Sequence, residues 1–203
     1  MATYENKEIY SYVLTTVNHK DGTFKQTGTG PNFEGGLITL CTCKHYMRAY
    51  KDPKDWEGVW ISGLVNKNNK TYLLYIMKVK NAVDNMYDLC KMLPHKTLEI
   101  KSANNSIFGD VYTPVKNFIS SDDKFDVKNY NKPIKGHKHK KIYQKDIKYP
   151  KKRIKRNPAL LVGDPQKSFI WTKPTIEICH PDKKMFARGC KHWNINKFFT
   201  NLR

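Results

Sequence analysis

The chain has 203 residues, 39% of them hydrophobic and 12% aromatic, with 37 Lys and Arg against 18 Asp and Glu for a net charge of +19. That length suits one domain able to bury a core of its own, and the aromatic content argues against a disordered chain. The longest apolar run is a few residues around Leu73–Met77, too short to span a membrane.

Ile9–Leu14 reads as a strand apolar on both faces. A Gly-, Thr- and Asn-rich loop follows from Asn18 to Gly36, then a second strand over Leu37–Cys43 and one helical turn within Lys44–Tyr50. Val59–Val65 and Thr71–Val79 flank the polar stretch Asn66–Lys70, which predicts a β-hairpin with a five-residue loop. Val83, Met86, Tyr87 and Cys90 fall on one helical stripe that Pro94 ends. From Lys128 to 157 the composition shifts: Lys132–Arg156 holds twelve Lys or Arg against one acid, Asp146. This stretch lacks clear periodicity and is expected to be a long basic arm. Ala159–Gly163 and Ser168–Thr172 predict a further strand pair turning at Asp164-Pro165. Ile195, Phe198, Phe199 and Leu202 predict a closing helix capped by Asn194. The order gives a single α+β domain over residues 1–203, with a small mixed, partly barrel-like sheet, flanking helices and a basic insertion.

Five cysteines at irregular spacing do not suggest a disulfide framework. With Glu5, Lys7 and Glu8 where a signal peptide would be apolar, an intracellular, reducing compartment is expected, cytoplasm or nucleus. No phosphate-loop, dinucleotide, zinc-protease or serine-hydrolase motif occurs, and no cofactor is expected. Cys41, Cys43 and His45 alternate along one strand, and Cys179, His180, Cys190 and His192 cluster near the C-terminus. Neither spacing matches a common zinc pattern, so no metal is expected. His137 and His139 read as part of the basic arm. Cys43 beside Lys44 is the one candidate nucleophile, since a neighbouring cation favours a thiolate, and a buried structural thiol is the competing role. The positive charge attracts polyanions, and Trp56, Trp60 and Trp171 offer faces on which bases stack.

The stretch Gly30-Pro31-Asn32-Phe33-Glu34-Gly35-Gly36-Leu37-Ile38-Thr39-Leu40-Cys41-Thr42-Cys43-Lys44, with Arg48 beyond it, resembles the signature of the nucleotide modification associated domain 2 family. The tyrosine-rich Ile9–Val13, Gly109-Asp110-Val111-Tyr112, Leu160–Gly163 with Phe169–Trp171, and Arg188-Gly189 extend that resemblance along the chain. The sequence departs from the family at Asp55–Trp60 and at Gly189-Cys190. The resemblance implies association with modified DNA bases in viruses and bacteria, which places the chain in a host cell or virion. It also implies a fold similar to the PUA-like group, whose YTH and EVE modules hold a base in an aromatic-lined pocket.

On that reading Asn32, Thr39 and Ser62 contact base edges, Trp60 or Trp171 stacks, and Lys44 and Arg48 face phosphate. Lys138, Lys140, Lys141, Lys151, Lys152, Arg153, Lys155 and Arg156 hold the nucleic-acid backbone, with DNA favoured over RNA. The alternatives are an enzyme of base modification using Cys43, and a basic packaging protein that coats nucleic acid.

Overall fold

The computed structural model describes residues 8–15, 17–20, 23–116, 120–139, 141–150, 156–179 and 190–202. It is an α+β fold built on a curled, half-barrel mixed sheet. The strands are β1 (Glu8–Val13), β2 (Val17–Lys20), β3 (Thr23–Gln26), β4 (Thr39–Leu40), β5 (Trp60–Lys67), β6 (Lys70–Val83), β7 (Leu160–Ile170) and β8 (Lys191–Asn194). The helices are α1 (His45–Arg48), α2 (Pro53–Trp56), α3 (Met86–Met92), α4 (His95–Lys101), α5 (Tyr143–Ile147) and α6 (Ile195–Phe199). The main sheet runs β4-β7-β6-β5-β1-β8, and β2 pairs with β3 in a small second sheet. Among these strands only β1 and β5 run parallel; the other pairs are antiparallel.

The β5–β6 hairpin closes more tightly than its composition suggested. Asn68 and Asn69 both take positive φ, 50° and 60°, so Lys67 and Lys70 pair across a two-residue turn. Asn tolerates that conformation best after Gly, which is why an Asn-Asn pair serves here. Residues 160–170 form one strand rather than two. β7 crosses β6 with register shifts near Met77 and Val79, so Asp164-Pro165 lies within a bulged strand and not in a turn. The second predicted strand shrinks to two residues, because the chain leaves the ladder after Leu40. Val83 ends β6, and the helical stripe starts at Met86, where the Asn85 side chain accepts the Asp88 N–H at 2.9 Å. Asn194 caps α6 as expected, accepting the Asn196 N–H at 3.0 Å.

Three apolar clusters hold the fold. One face of the sheet packs Tyr12, Leu40, Trp56, Ile61, Tyr75 and Leu161, and the other face packs Ile9, Leu64, Leu73, Trp193 and Phe198. The third cluster joins α3 to the insertion through Tyr87, Leu89, Tyr112, Tyr130, Ile147 and Leu160. The insertion is therefore not a free arm over its described length. Buried His137, Asp146 and Ile147 fasten residues 131–139 and 141–150 against the body of the protein, although lysines cover the outer side.

Candidate active site around Cys43

After β4 the chain passes through Cys41 and Thr42, turns at Cys43 and Lys44, and enters α1. Cys43 and Lys44 are both left-handed, with φ of 58° and 47°. Two successive non-glycine residues in that region cost roughly 1–3 kcal/mol each and persist only where surroundings impose them. Those surroundings are visible. Arg48 Nε donates to the Cys43 carbonyl at 2.9 Å, and the Thr42 hydroxyl bonds that of Thr29 at 2.9 Å. Lys44 Nζ lies over the Tyr12 ring, 4.4 Å from its centroid. Gly30 packs against Thr42 so closely that a Cβ there would sit 2.8 Å from the Thr42 carbonyl oxygen. A side chain on such a strained strand-to-helix corner is held out from its own backbone.

The partner for this thiol comes from the insertion, 96 residues away. Cys43 Sγ lies 3.3 Å from His139 Nε2. His139 Nδ1 lies 3.0 Å from Asp146 Oδ2, and Asp146 is fully sealed from solvent. The carboxylate accepts two further bonds: His45 Nε2 at 2.8 Å on Oδ1, and the Tyr112 hydroxyl at 3.2 Å on Oδ2. These partners fix the tautomers. His139 and His45 must each present an N–H to the carboxylate, which leaves His139 Nε2 facing the sulfur. His137 supports the loop from behind, donating from Nε2 to the Gly109 carbonyl at 2.9 Å and accepting the His139 backbone N–H at 3.1 Å.

The electrostatics follow. Burial disfavours charge on His139, but its bonds to Asp146 and Cys43 outweigh that and hold its pKa up at about 10. Burial likewise opposes ionisation of Asp146, and the bonds from His139 and His45 still bring its pKa below the ordinary value. His45 goes the other way: burial dominates and lowers its pKa. One carboxylate thus lies between a histidine that keeps its proton and one that stays neutral. Burial raises three thiols elsewhere, Cys41 well above its ordinary value and Cys90 and Cys190 to about 12.

A second buried polar group braces the strand behind the thiol. Lys101 Nζ donates to Asn32 Oδ1 at 2.8 Å and to the Asn32 carbonyl at 3.2 Å. The Thr39 hydroxyl donates to Asp110 Oδ1 at 3.1 Å, and Asp110 Oδ2 accepts the Cys41 N–H at 3.3 Å. Burial lowers the pKa of Lys101 and raises that of Asp110, and each opposes the shift of the other.

The residues read from sequence as a base pocket are placed otherwise. Asn32, Thr39, Arg48 and Ser62 are sealed inside the protein. Asn32 and Thr39 serve the bracing group, and Ser62 bonds Ser11 at 2.7 Å. Arg48 donates from Nε and Nη1 to the carbonyls of Cys43, Pro158 and Ala159 and is sealed from solvent, which keeps it from an outside phosphate. Nor does Trp60 begin a strand beside β4: β7 and β6 stand between β4 and β5, and Trp60 packs with Trp171 against the cluster on the opposite face. Trp56 is a core residue whose indole N–H donates to the Arg48 carbonyl at 3.2 Å. Lys44 stays beside the thiol. Lys138 and Lys141 are exposed, Arg156 pairs with Asp52 at 2.8 Å, and Lys140, Lys151, Lys152, Arg153, Lys155, His180, Arg188 and Gly189 lie outside the described residues.

Sequence reasoning singled out Cys43 but assigned His139 to the arm and gave Asp146 no role. The available signal was Asp146 itself, one acid in a run of twelve cations, seven residues from a histidine pair. Among the described residues no three His, Cys, Asp or Glu side chains surround a point suited to a metal ion; the site groups are joined in pairwise bonds instead. No protein-family model, curated protein or solved structure matches the chain.

Proposed function

We propose that this protein is a thiol-dependent enzyme in which Cys43 is the nucleophile, His139 its proton partner and Asp146 the group that orients the imidazole. The observation that carries the reading is the linear contact Cys43 Sγ–His139 Nε2 at 3.3 Å with His139 Nδ1–Asp146 Oδ2 at 3.0 Å behind it. Nucleophile, base and orienting carboxylate in that order define the triad arrangement whatever the fold. The chemistry that suits it is transfer of an acyl group.

The proton is already on His139 Nε2, held there by Asp146 and the sulfur, and the sulfur bonds the carbonyl carbon of the donor. The bond to the leaving group breaks, and that group departs with the proton from His139. Water, deprotonated by the same imidazole, then cleaves the thioester and restores the thiol. Part of what holds the His139 proton is the sulfur beside it. Once the sulfur is acylated that support is gone, and the imidazole becomes a better acid at the moment the leaving group needs a proton. Modification of a DNA base through Cys43, the alternative raised by the sequence, would use the same nucleophile on a ring carbon; the net charge of +19 is what favours such a substrate.

The test uses p-nitrophenyl acetate as the acyl donor. Wild-type protein should release a burst of nitrophenolate and carry an acetyl group on Cys43 by mass spectrometry. Cys43→Ser should lose the adduct, and His139→Gln should slow the burst by about 10²–10⁴-fold. A burst that persists in folded Cys43→Ser, or acetylation spread over the other cysteines, refutes the reading.

A further inference from the structure

Two hollows flank α5, the helix that carries Asp146. The first, about 560 Å³, is rimmed by Lys128, Lys132, Lys145 and Lys148 over a floor that includes Tyr130 and Tyr143. The second, about 610 Å³, holds Phe125, Tyr149, Asn157 and Arg156. Lys148 and Pro150 line both, so the hollows adjoin at those residues, close enough for one extended ligand to use the two as a groove. Each is the size of an ordinary ligand pocket.

Their chemistry differs. The first hollow sets four lysines against one acid, Asp126. All four lysines are exposed, and among the described residues none has a carboxylate within ion-pair distance. Four like charges on one hollow repel one another, and a polyanion relieves that repulsion. In the second hollow Asp84 and Asp122 face Lys148 and Arg156, and Arg156 is itself paired with Asp52, so among the described residues this hollow has no excess of positive charge. Asn157 is engaged with the Tyr149 N–H and the carbonyls of Asp84 and Ile147, and what remains is the aromatic surface of Phe125 and Tyr149. A basic trough beside an aromatic one without excess positive charge matches a chain with charged linkages and flat uncharged rings.

We propose that this groove binds single-stranded nucleic acid, with phosphates over Lys128, Lys132, Lys145 and Lys148 and a base in the hollow of Phe125 and Tyr149. The groove adjoins the residues that surround Asp146. The Tyr149 ring lies 4.7 Å from that of His45, which shares Asp146 with His139, and Tyr143 lies 5.8 Å from Tyr112, which also bonds Asp146. Binding here goes beyond the thiol chemistry and does not depend on it.

The test is fluorescence anisotropy of a labelled single-stranded oligodeoxynucleotide across a salt series. The combined variant Lys128→Gln, Lys132→Gln, Lys145→Gln, Lys148→Gln should weaken binding more than about tenfold and flatten the log–log salt slope by about 2.8, at about 0.7 for each phosphate no longer neutralised. A control, Lys54→Gln, Lys80→Gln, Lys96→Gln, Lys167→Gln, removes the same charge elsewhere and should cost no more than about threefold at physiological salt, where distant charges are screened. Phe125→Ala should weaken binding by roughly tenfold through loss of stacking. Equal losses in groove and control variants, an unchanged affinity in Phe125→Ala, or tighter binding of the matching duplex overturns the proposal. Cys43→Ser is measured alongside and should bind as wild type does, so failure of the groove and failure of the thiol reading are seen separately.

Discussion

Replacing Asp146 with Asn keeps the shape of the side chain and removes the charge that three donors share. His139 is held at about 10, against about 6.5 for an unperturbed imidazole. A folded-state value above the unfolded one means that the native protein binds the extra proton. The stability this gives is complete below pH 6.5, declines through the interval, and is gone once pH passes 10. At about 1.36 kcal/mol per pH unit the gap corresponds to at most about 5 kcal/mol. Breaking a buried pair costs about 3–5 kcal/mol, which for a chain of this size lowers the melting temperature by roughly 6–20 °C. Asp146 contributes in the opposite direction: its value lies below the ordinary one, so its share is lost as pH falls through the acid range. The assay is thermal melting of wild type and Asp146→Asn at pH 6, 8 and 10. The variant should melt well below wild type at pH 6 and the difference should shrink steadily towards pH 10. Charges common to both proteins cancel in that comparison. A difference that is the same at pH 6 and pH 10 would refute the coupling of His139 to Asp146.

Two further substitutions test the frame around the thiol. Arg48→Lys should destabilise the protein by about 2–4 kcal/mol in denaturant titration, because an ammonium cannot reach the carbonyls of Cys43, Pro158 and Ala159 together; an unchanged midpoint would show that the corner at Cys43 holds without it. Lys101→Met should cost about 3–5 kcal/mol by leaving Asp110 buried without its cation, and adding Asp110→Asn should recover part of that loss in a double-mutant cycle; additive losses would show that the two do not interact.

Local patterns in the sequence were legible where local physics decides the outcome. The β5–β6 hairpin followed from alternating apolar runs around a polar turn, and the Asn194 cap from a short polar side chain just before an apolar stripe. Residues 160–170 misled, because Asp164-Pro165 looks like a turn and only pairing with distant β6 lets the strand continue through a bulge. The insertion misled for a related reason. Twelve cations hide the few residues that are buried, and Ile147 and His137 show no periodicity to mark them. At the site, Cys43 could be picked out by its neighbour Lys44. Its partner could not, because Cys43 and His139 meet only through packing of the insertion on α3 and Tyr112. The aromatic pocket inferred around Arg48 and Trp60 required β4 and β5 to be adjacent, and strand order is a global property that no local pattern records.

The Cys43 corner belongs to the sheet, while its imidazole belongs to a layer laid over it. A local opening of the insertion that left the strands paired would part His139 from Cys43 while the sheet stayed folded. The contact at the sulfur is thus only as stable as the seating of His137, Asp146 and Ile147, whatever the stability of the sheet beneath.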